Sequence, residues 1–264
     1  MAKAMYIGIS NVARKVNQPY IGVAGVARKA VKGYVGVGNV ARQFYSGGIG
    51  ALEVGTSVYL NVNGASTEFM IVHQGIPDET YSSSCDGTWL LMKDLYTSKG
   101  WNISSGMINY SNSTMHKTWL KDFFNVLDDN IQSIIKTVKI PYGLRGATSA
   151  EDTVYSGENG LSTQVFLLAN REVGGTAVRP TIGTALAYFA DKKSSTYDSY
   201  RIAYLNGTAT AWWLRNPQSS NSICTVGADG SLNSGSGVTS LFGIRPAFIL
   251  PSDTLVDSDF NVIA

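Results

Sequence analysis

Side chains able to do covalent or acid–base chemistry are few in this chain, and their spacing assembles no catalytic pattern. The two cysteines, Cys85 and Cys224, lie far apart and each suits a small buried position. Of the two histidines, His73 sits in an apolar, strand-like run, which suits a core or rim residue. His116 opens a helical pattern, which suits a solvated or capping one. A hydrolase needs a nucleophile beside a base, and neither histidine has such a neighbour in sequence. Asp86, Asp94, Asp152 and Glu158 could offer oxygen ligands, but no dense Asp-x-Asp loop of the calcium-binding type occurs. Two cysteines cannot build a four-cysteine zinc site or a disulfide scaffold. The remaining chemistry is reversible binding, so no catalytic residue, no metal and no cofactor is expected.

The stretch most suited to binding is Asn216 to Phe242. It is rich in Ser, Asn, Gly and Thr and contains no Lys, Arg, Glu, His, Met, Trp or Tyr. Its single carboxylate is Asp229, in a presumed Asp229-Gly230 turn. Short hydrogen-bonding side chains of this kind make adaptable recognition surfaces. Two firm strand patterns frame the stretch: Ala211-Trp-Trp-Leu-Arg215 before it and Gly243-Ile-Arg-Pro-Ala-Phe-Ile-Leu250 after it.

The elements that must carry this stretch are short. Ser57 to Asn63 alternates polar and apolar, turns at Gly64-Ala65, and returns as Thr67 to His73, a hairpin pattern. Thr88 to Met92 reads as a buried strand. Trp119, Leu120, Phe123, Phe124 and Leu127 recur at helical spacing behind a Ser113 or Thr114 cap, and a second helix is expected over Asp129 to Thr137. Strands and two early helices together predict an α+β body over residues 49–264.

Ahead of that body lies a repeat. Tyr6-Ile-Gly-Ile-Ser-Asn-Val-Ala-Arg-Lys15 returns from Tyr20 and again from Tyr34, at a spacing of 14 residues. Each copy has two apolar arms around a small pair: Ser10-Asn11, Ala24-Gly25 or Gly38-Asn39. That predicts a short β-hairpin arm over residues 1–48. Hairpins this small bury little surface alone, so the arm is expected to oligomerise, most simply as a trimer, or to attach to another chain. Residues 1–48 hold seven basic side chains and no acidic one, whereas the whole chain of 264 residues has a net charge of only +2. The aromatic residues are not interleaved with the basic pairs, so a nucleic-acid partner is not expected. Neither is membrane insertion, since no apolar run approaches the roughly 20 residues a spanning helix needs. Met1 to Ser10 lack the long apolar stretch of a secretory signal.

Trp212-Trp-Leu-Arg-Asn-Pro217, Ala228-Asp-Gly-Ser-Leu232 and Gly243-Ile-Arg-Pro-Ala-Phe248 together resemble a bacterial and phage domain with a C-type-lectin-like fold. The resemblance reaches back through Val165-Phe-Leu-Leu168 and Thr118 to Phe124. That family includes the variable proteins of diversity-generating retroelements, in which a reverse transcriptase mutates the adenines of a template copy. The resemblance implies a C-type-lectin-like fold and a variable, ligand-binding surface made of Asn216, Ser219, Ser220, Asn221, Ser222, Ile223, Thr225, Gly227, Ser231, Asn233, Ser234, Ser236, Thr239, Leu241 and Phe242. Trp212, Trp213, Leu214, Arg215, Gly243, Arg245 and Pro246 would be scaffold. Mutated asparagine codons cannot yield Lys, Glu, Gln, Met or Trp, and Gln218 alone from that set occurs between Asn216 and Phe242. The N-terminal repeat resembles segments of phage tail proteins. Together these imply a virion receptor-binding protein whose partner is a host cell-surface protein or carbohydrate, joined to other tail proteins through residues 1–48. A non-diversified bacterial adhesin is the alternative. The Gly243-Ile-Arg245 ending also resembles the formylglycine-generating oxidases, but those rely on a reactive cysteine pair.

Overall fold

The 14-residue repeat folds as three antiparallel strand pairs. Tyr6–Ile9 (β1) pairs with Val12–Lys15 (β2), Tyr20–Val23 (β3) with Val26–Lys29 (β4), and Lys32–Val37 (β5) with Val40–Ser46 (β6). The register repeats with the sequence: Tyr6 lies opposite Lys15, Tyr20 opposite Lys29 and Tyr34 opposite Gln43. Each pair is its own two-stranded sheet. The computed structural model describes residues 6–264 except 10–11, 16–19, 24–25, 30–31, 38–39, 47, 106–108, 146–147, 177–179, 193–194, 220 and 258. For 6–46, 195–197 and 233–234 it describes the backbone alone. The three small pairs expected at the repeat turns lie outside the described residues.

In chain order the body contributes β7 (Ser57–Val62), β8 (Ala65–Gln74), β9 (Thr88–Met92), β10 (Thr97–Lys99), α1 (Leu120–Asn125), α2 (Asp129–Ile134), β11 (Val165–Phe166), β12 (Trp212–Ser219), β13 (Ser222–Val226), β14 (Leu232–Gly237), β15 (Phe242–Ile244) and β16 (Ala247–Leu250). Two five-stranded sheets organise it. The first has the order β11-β16-β9-β8-β7 and is antiparallel throughout. Its β7–β8 hairpin turns at Asn63 and Gly64, with φ of 52° and 80°. Both residues are left-handed, the geometry that matches strand twist, so the turn sits one residue earlier than the alternation suggested. β9, Thr88-Trp-Leu-Leu-Met92, is buried along its whole length, as a central strand must be.

The second sheet has the order β10-β15-β12-β13-β14. Its strands pair antiparallel except for one parallel contact, Trp212 opposite Gly243. The chain crosses from this sheet into the first at Arg245-Pro246. There the Pro246 carbonyl accepts from the Met92 amide at 2.9 Å. Proline has no amide proton to give to a ladder, so the crossover is where it can be accommodated. The 211–250 segment therefore serves both sheets instead of building one small sheet.

The expected α+β, C-type-lectin-like body is thus corrected to a mainly antiparallel β architecture. Strand accounts for 38% and helical turns for 18%, with two α-helices among the described residues. The physical reason is visible in 113–137, where two helices were expected and both are shorter than their apolar spacing suggested. The segment begins as a π-turn over Met115–Trp119, runs as α1 for six residues, and stops at Val126 with φ −97° and ψ 0°. α2 holds another six residues. Leu120, Phe123 and Ile131 are buried, so the helical spacing reflects anchoring of two short turns against the sheets. Apolar side chains from both sheets and these helices form one buried cluster.

Candidate ligand-binding surface

The framework of the polar stretch is rigid. Trp212 and Trp213 are fully buried, and their indole N–H groups donate to the carbonyls of Arg201 at 3.0 Å and Lys99 at 2.8 Å. Arg215, also fully buried, donates from Nε to the Pro141 carbonyl at 3.0 Å and from Nη1 to the Leu167 carbonyl at 2.7 Å. Both of its terminal nitrogens reach the buried Glu172 carboxylate, Nη1 at 2.6 Å. Gly243 packs tightly: a Cβ there would lie 2.3 Å from Leu95 Cδ1, so the buried Leu95 side chain would have to move. Arg245 stacks on Trp212 at 4.9 Å and donates to three backbone carbonyls.

Beyond Pro217 the chain emerges. Ser219 and Asn221 are exposed at the β12–β13 turn, and Ser219 Oγ lies 2.6 Å from Ser222 Oγ. β14 brings Ser236 opposite Ile223 and Gly237 opposite Ser222. The Val238 amide then donates to the Asn221 carbonyl at 3.3 Å, which sets exposed Thr239 beside the turn. Ser219, Asn221, Ser222, Ser236 and Thr239 thus share one end of the second sheet. Leu241 is 71% exposed close by in sequence.

The other expected positions part from this group. Asn216 is fully buried: its side-chain oxygen accepts from the Asn170 amide at 2.7 Å and its amide donates to the Pro180 carbonyl at 3.3 Å. Ile223, Thr225 and Gly227 are buried as well, because β13 is covered on both faces. Ser231 sits at the far end of the β13–β14 hairpin, where it donates to Asp229 Oδ1 at 2.6 Å. Phe242 packs edge-on against Trp213, centroids 4.9 Å apart, and belongs to the scaffold. Ser220 lies outside the described residues, as do the side chains of Asn233 and Ser234. The apolar candidate on this surface is therefore Leu241 and not Phe242.

The thiols are poor nucleophiles. Burial pushes Cys85 up to about 11 and Cys224 up to about 12, so both stay protonated near neutrality. Cys85 donates to the Lys139 carbonyl at 3.3 Å. Among the described residues, no three His, Cys, Asp or Glu side chains gather as a metal-ligand set. Nor is any helix among them long and apolar enough to cross a membrane.

Both histidines are held below their ordinary value. For His116 the main cause is burial, followed by repulsion from Lys121 and Lys117, which brings it to about 4. For His73 burial outweighs the raising influence of Ile76 and Glu172. An unfolded imidazole titrates near 6.5, so the folded state resists protons that the unfolded chain accepts. Stability is complete above about pH 6.5 and lost as pH falls towards 4, by about 2 kcal/mol at pH 5 from His116 alone. Urea midpoints at neutral pH and about pH 5 should show this loss, and His116→Gln should reduce it. Equal losses in both proteins would mean His116 is not the source.

A sequence model of the family described as Domain of unknown function (DUF6273) matches residues 86–252. No curated protein and no solved structure matches the chain. The matched span runs from just before β9 to just after β16. It takes in all of the second sheet and every buried anchor around the polar stretch, while β7 and β8 precede it. It covers more than half of the chain, which belongs to the DUF6273 family.

Proposed function

We propose that this chain is a non-enzymatic receptor-binding protein of a virion tail. Its body binds a host-surface ligand through the exposed end of the β12–β13–β14 strands, and its hairpin arm joins chains into a trimer and to other tail proteins. The observation that carries this reading is the abrupt change along β12. Its residues from Trp212 to Pro217 are buried and hydrogen-bonded, and the next turn is exposed, small and polar. A rigid framework beneath exposed side chains lets those side chains change at little cost, because surface substitutions usually stay within about 0.5 kcal/mol. The same reasoning supports diversification of the tip positions by a retroelement. Weak single sites on three chains would then be reinforced by avidity.

Combined replacement of Ser219, Asn221, Thr239 and Leu241 by Ala is expected to abolish binding of the labelled protein to host cells while leaving thermal stability nearly unchanged. Unaltered binding by that variant would refute the surface assignment. Sister genes should differ mainly at Ser219, Asn221, Ser222, Ser236, Thr239 and Leu241. Differences spread evenly over the body would leave an ordinary adhesin without diversification.

A further inference from the structure

A second recessed surface stands apart from the tip. A cleft of about 410 Å³ lies among Met70 of β8, the Lys93-Asp94 corner after β9, the helical turns over Ala187–Phe189 and Ser195–Arg201, and Tyr204. That volume falls in the range of small-ligand pockets, roughly 300–1,000 Å³. Three tyrosines line it: Tyr188, half-buried, and Tyr200 and Tyr204, 43% and 45% exposed. Asp94, Lys93 and Ser199 add polar groups, and Arg245 lies buried beneath.

The cleft is held in shape. The Lys192 ammonium sits 4.9 Å from the Tyr188 ring centre and 5.0 Å from that of Tyr200, and is itself fixed by the Tyr188 carbonyl at 2.8 Å. Asp94 Oδ1 accepts from the Tyr204 amide at 3.2 Å, and the Leu95 amide donates to the Tyr204 carbonyl at 2.9 Å. Arg245 ties the two walls together: Nε and Nη2 donate to the carbonyls of Met92 and Lys93, Nη1 to that of Arg201. The Tyr188 and Tyr200 rings, held by Lys192, and the Tyr204 backbone, held by Asp94 and Leu95, lose little freedom when a ligand arrives.

The charges select the ligand class. Lys93 pairs with Glu68 and Lys192 with Asp191, each at 2.8 Å. Arg245 stands near Asp94, so positive and negative groups are matched. An anionic ligand such as a nucleic acid would need unmatched cations. A pyranose needs what the cleft offers: flat rings against its C–H face, a carboxylate accepting from adjacent hydroxyls, and phenol and serine hydroxyls that both donate and accept. We propose that this cleft binds a neutral saccharide unit, stacked on Tyr200 and Tyr204 with Asp94 and Ser199 at its hydroxyls. The assignment does not rest on the tip surface, which is built from other elements.

Saturation-transfer NMR on the full chain tests it, with lactose, cellobiose and chitotriose as neutral saccharides, and 3′-sialyllactose and hexaproline as comparators. At least one neutral saccharide should receive saturation. Tyr200→Ala combined with Tyr204→Ala should weaken it by about tenfold or more, the loss typical of a stacked aromatic anchor. The corresponding Phe variants should retain most binding. The tip variant at Ser219, Asn221, Thr239 and Leu241 should bind the saccharide normally even if host-cell binding is lost. No transfer to any neutral saccharide, transfer unaffected by the Tyr-to-Ala pair, or transfer to 3′-sialyllactose alone or to hexaproline alone would overturn the assignment.

Discussion

Glu172→Ala is expected to destabilise the body by about 3–5 kcal/mol. The carboxylate is fully buried and accepts from both terminal nitrogens of Arg215, from the Tyr81 hydroxyl at 2.6 Å and from the Ala169 amide at 2.8 Å. Burial alone would push the Arg215 guanidinium down; the Glu172 charge beside it overrides that and holds it above its ordinary value. Removing Glu172 therefore leaves a cation stranded in the core. Breaking one side of a buried pair costs about 3–5 kcal/mol, a large part of the roughly 5–15 kcal/mol that holds a domain folded. Replacing Glu172 by Leu and Arg215 by Met together should cost less than Glu172→Ala, because no charge is then abandoned. Urea unfolding of wild type, Glu172→Leu, Arg215→Met and the double variant measures the coupling. A loss under about 1 kcal/mol for Glu172→Ala would show that water reaches the site and screens the remaining Arg215 charge.

Trp213→Ala should be nearly as damaging. The indole is fully buried, donates to the Lys99 carbonyl at 2.8 Å and meets the Phe242 ring edge-on. Truncating a core aromatic costs about 3–5 kcal/mol. The damage should be local in its origin: β10 and β15 are tied to β12 at this side chain, so the sheet edge they form would loosen first. Leu241→Ala, two residues before Gly243, should change stability by no more than about 0.5 kcal/mol because its side chain already faces water. Thermal unfolding of the two variants side by side separates framework from surface. Similar losses in both would remove the distinction on which the binding reading depends.

How far the site was legible can be seen at neighbouring positions. Ala211 to Arg215 reads as a strand and the resemblance made Trp212, Trp213, Leu214 and Arg215 scaffold; all four are buried. Asn216, next in line, was placed on the variable surface by the same resemblance. Its burial depends on the Asn170 amide and the Pro180 carbonyl, which reach it from distant parts of the chain. Ile223 to Val226 has the pattern of a strand, yet the family resemblance put Ile223 and Thr225 on the variable surface; β13 lies between β12 and β14 and has little surface to offer. The tyrosine cleft had no sequence signal beyond the density of tyrosines between Tyr188 and Tyr204, since its other wall comes from Lys93-Asp94 and its floor from Arg245.

The sequence by itself determined the features set by near neighbours. The hairpin repeat follows from a 14-residue period with small turn pairs, the β7–β8 hairpin from alternation around Asn63-Gly64, and the framework strands from Trp212-Trp213 and Gly243-Ile-Arg245. Each depends on steric preference or periodicity within about ten residues, which a linear reading contains. Only the tertiary structure decided how the strands are shared between two sheets, where the two short helices stop, and which polar side chains are satisfied inside instead of facing water. Those outcomes depend on hydrogen-bond partners and packing surfaces dozens of residues away. A buried polar group is stable only where such partners meet it, and no local pattern records that meeting.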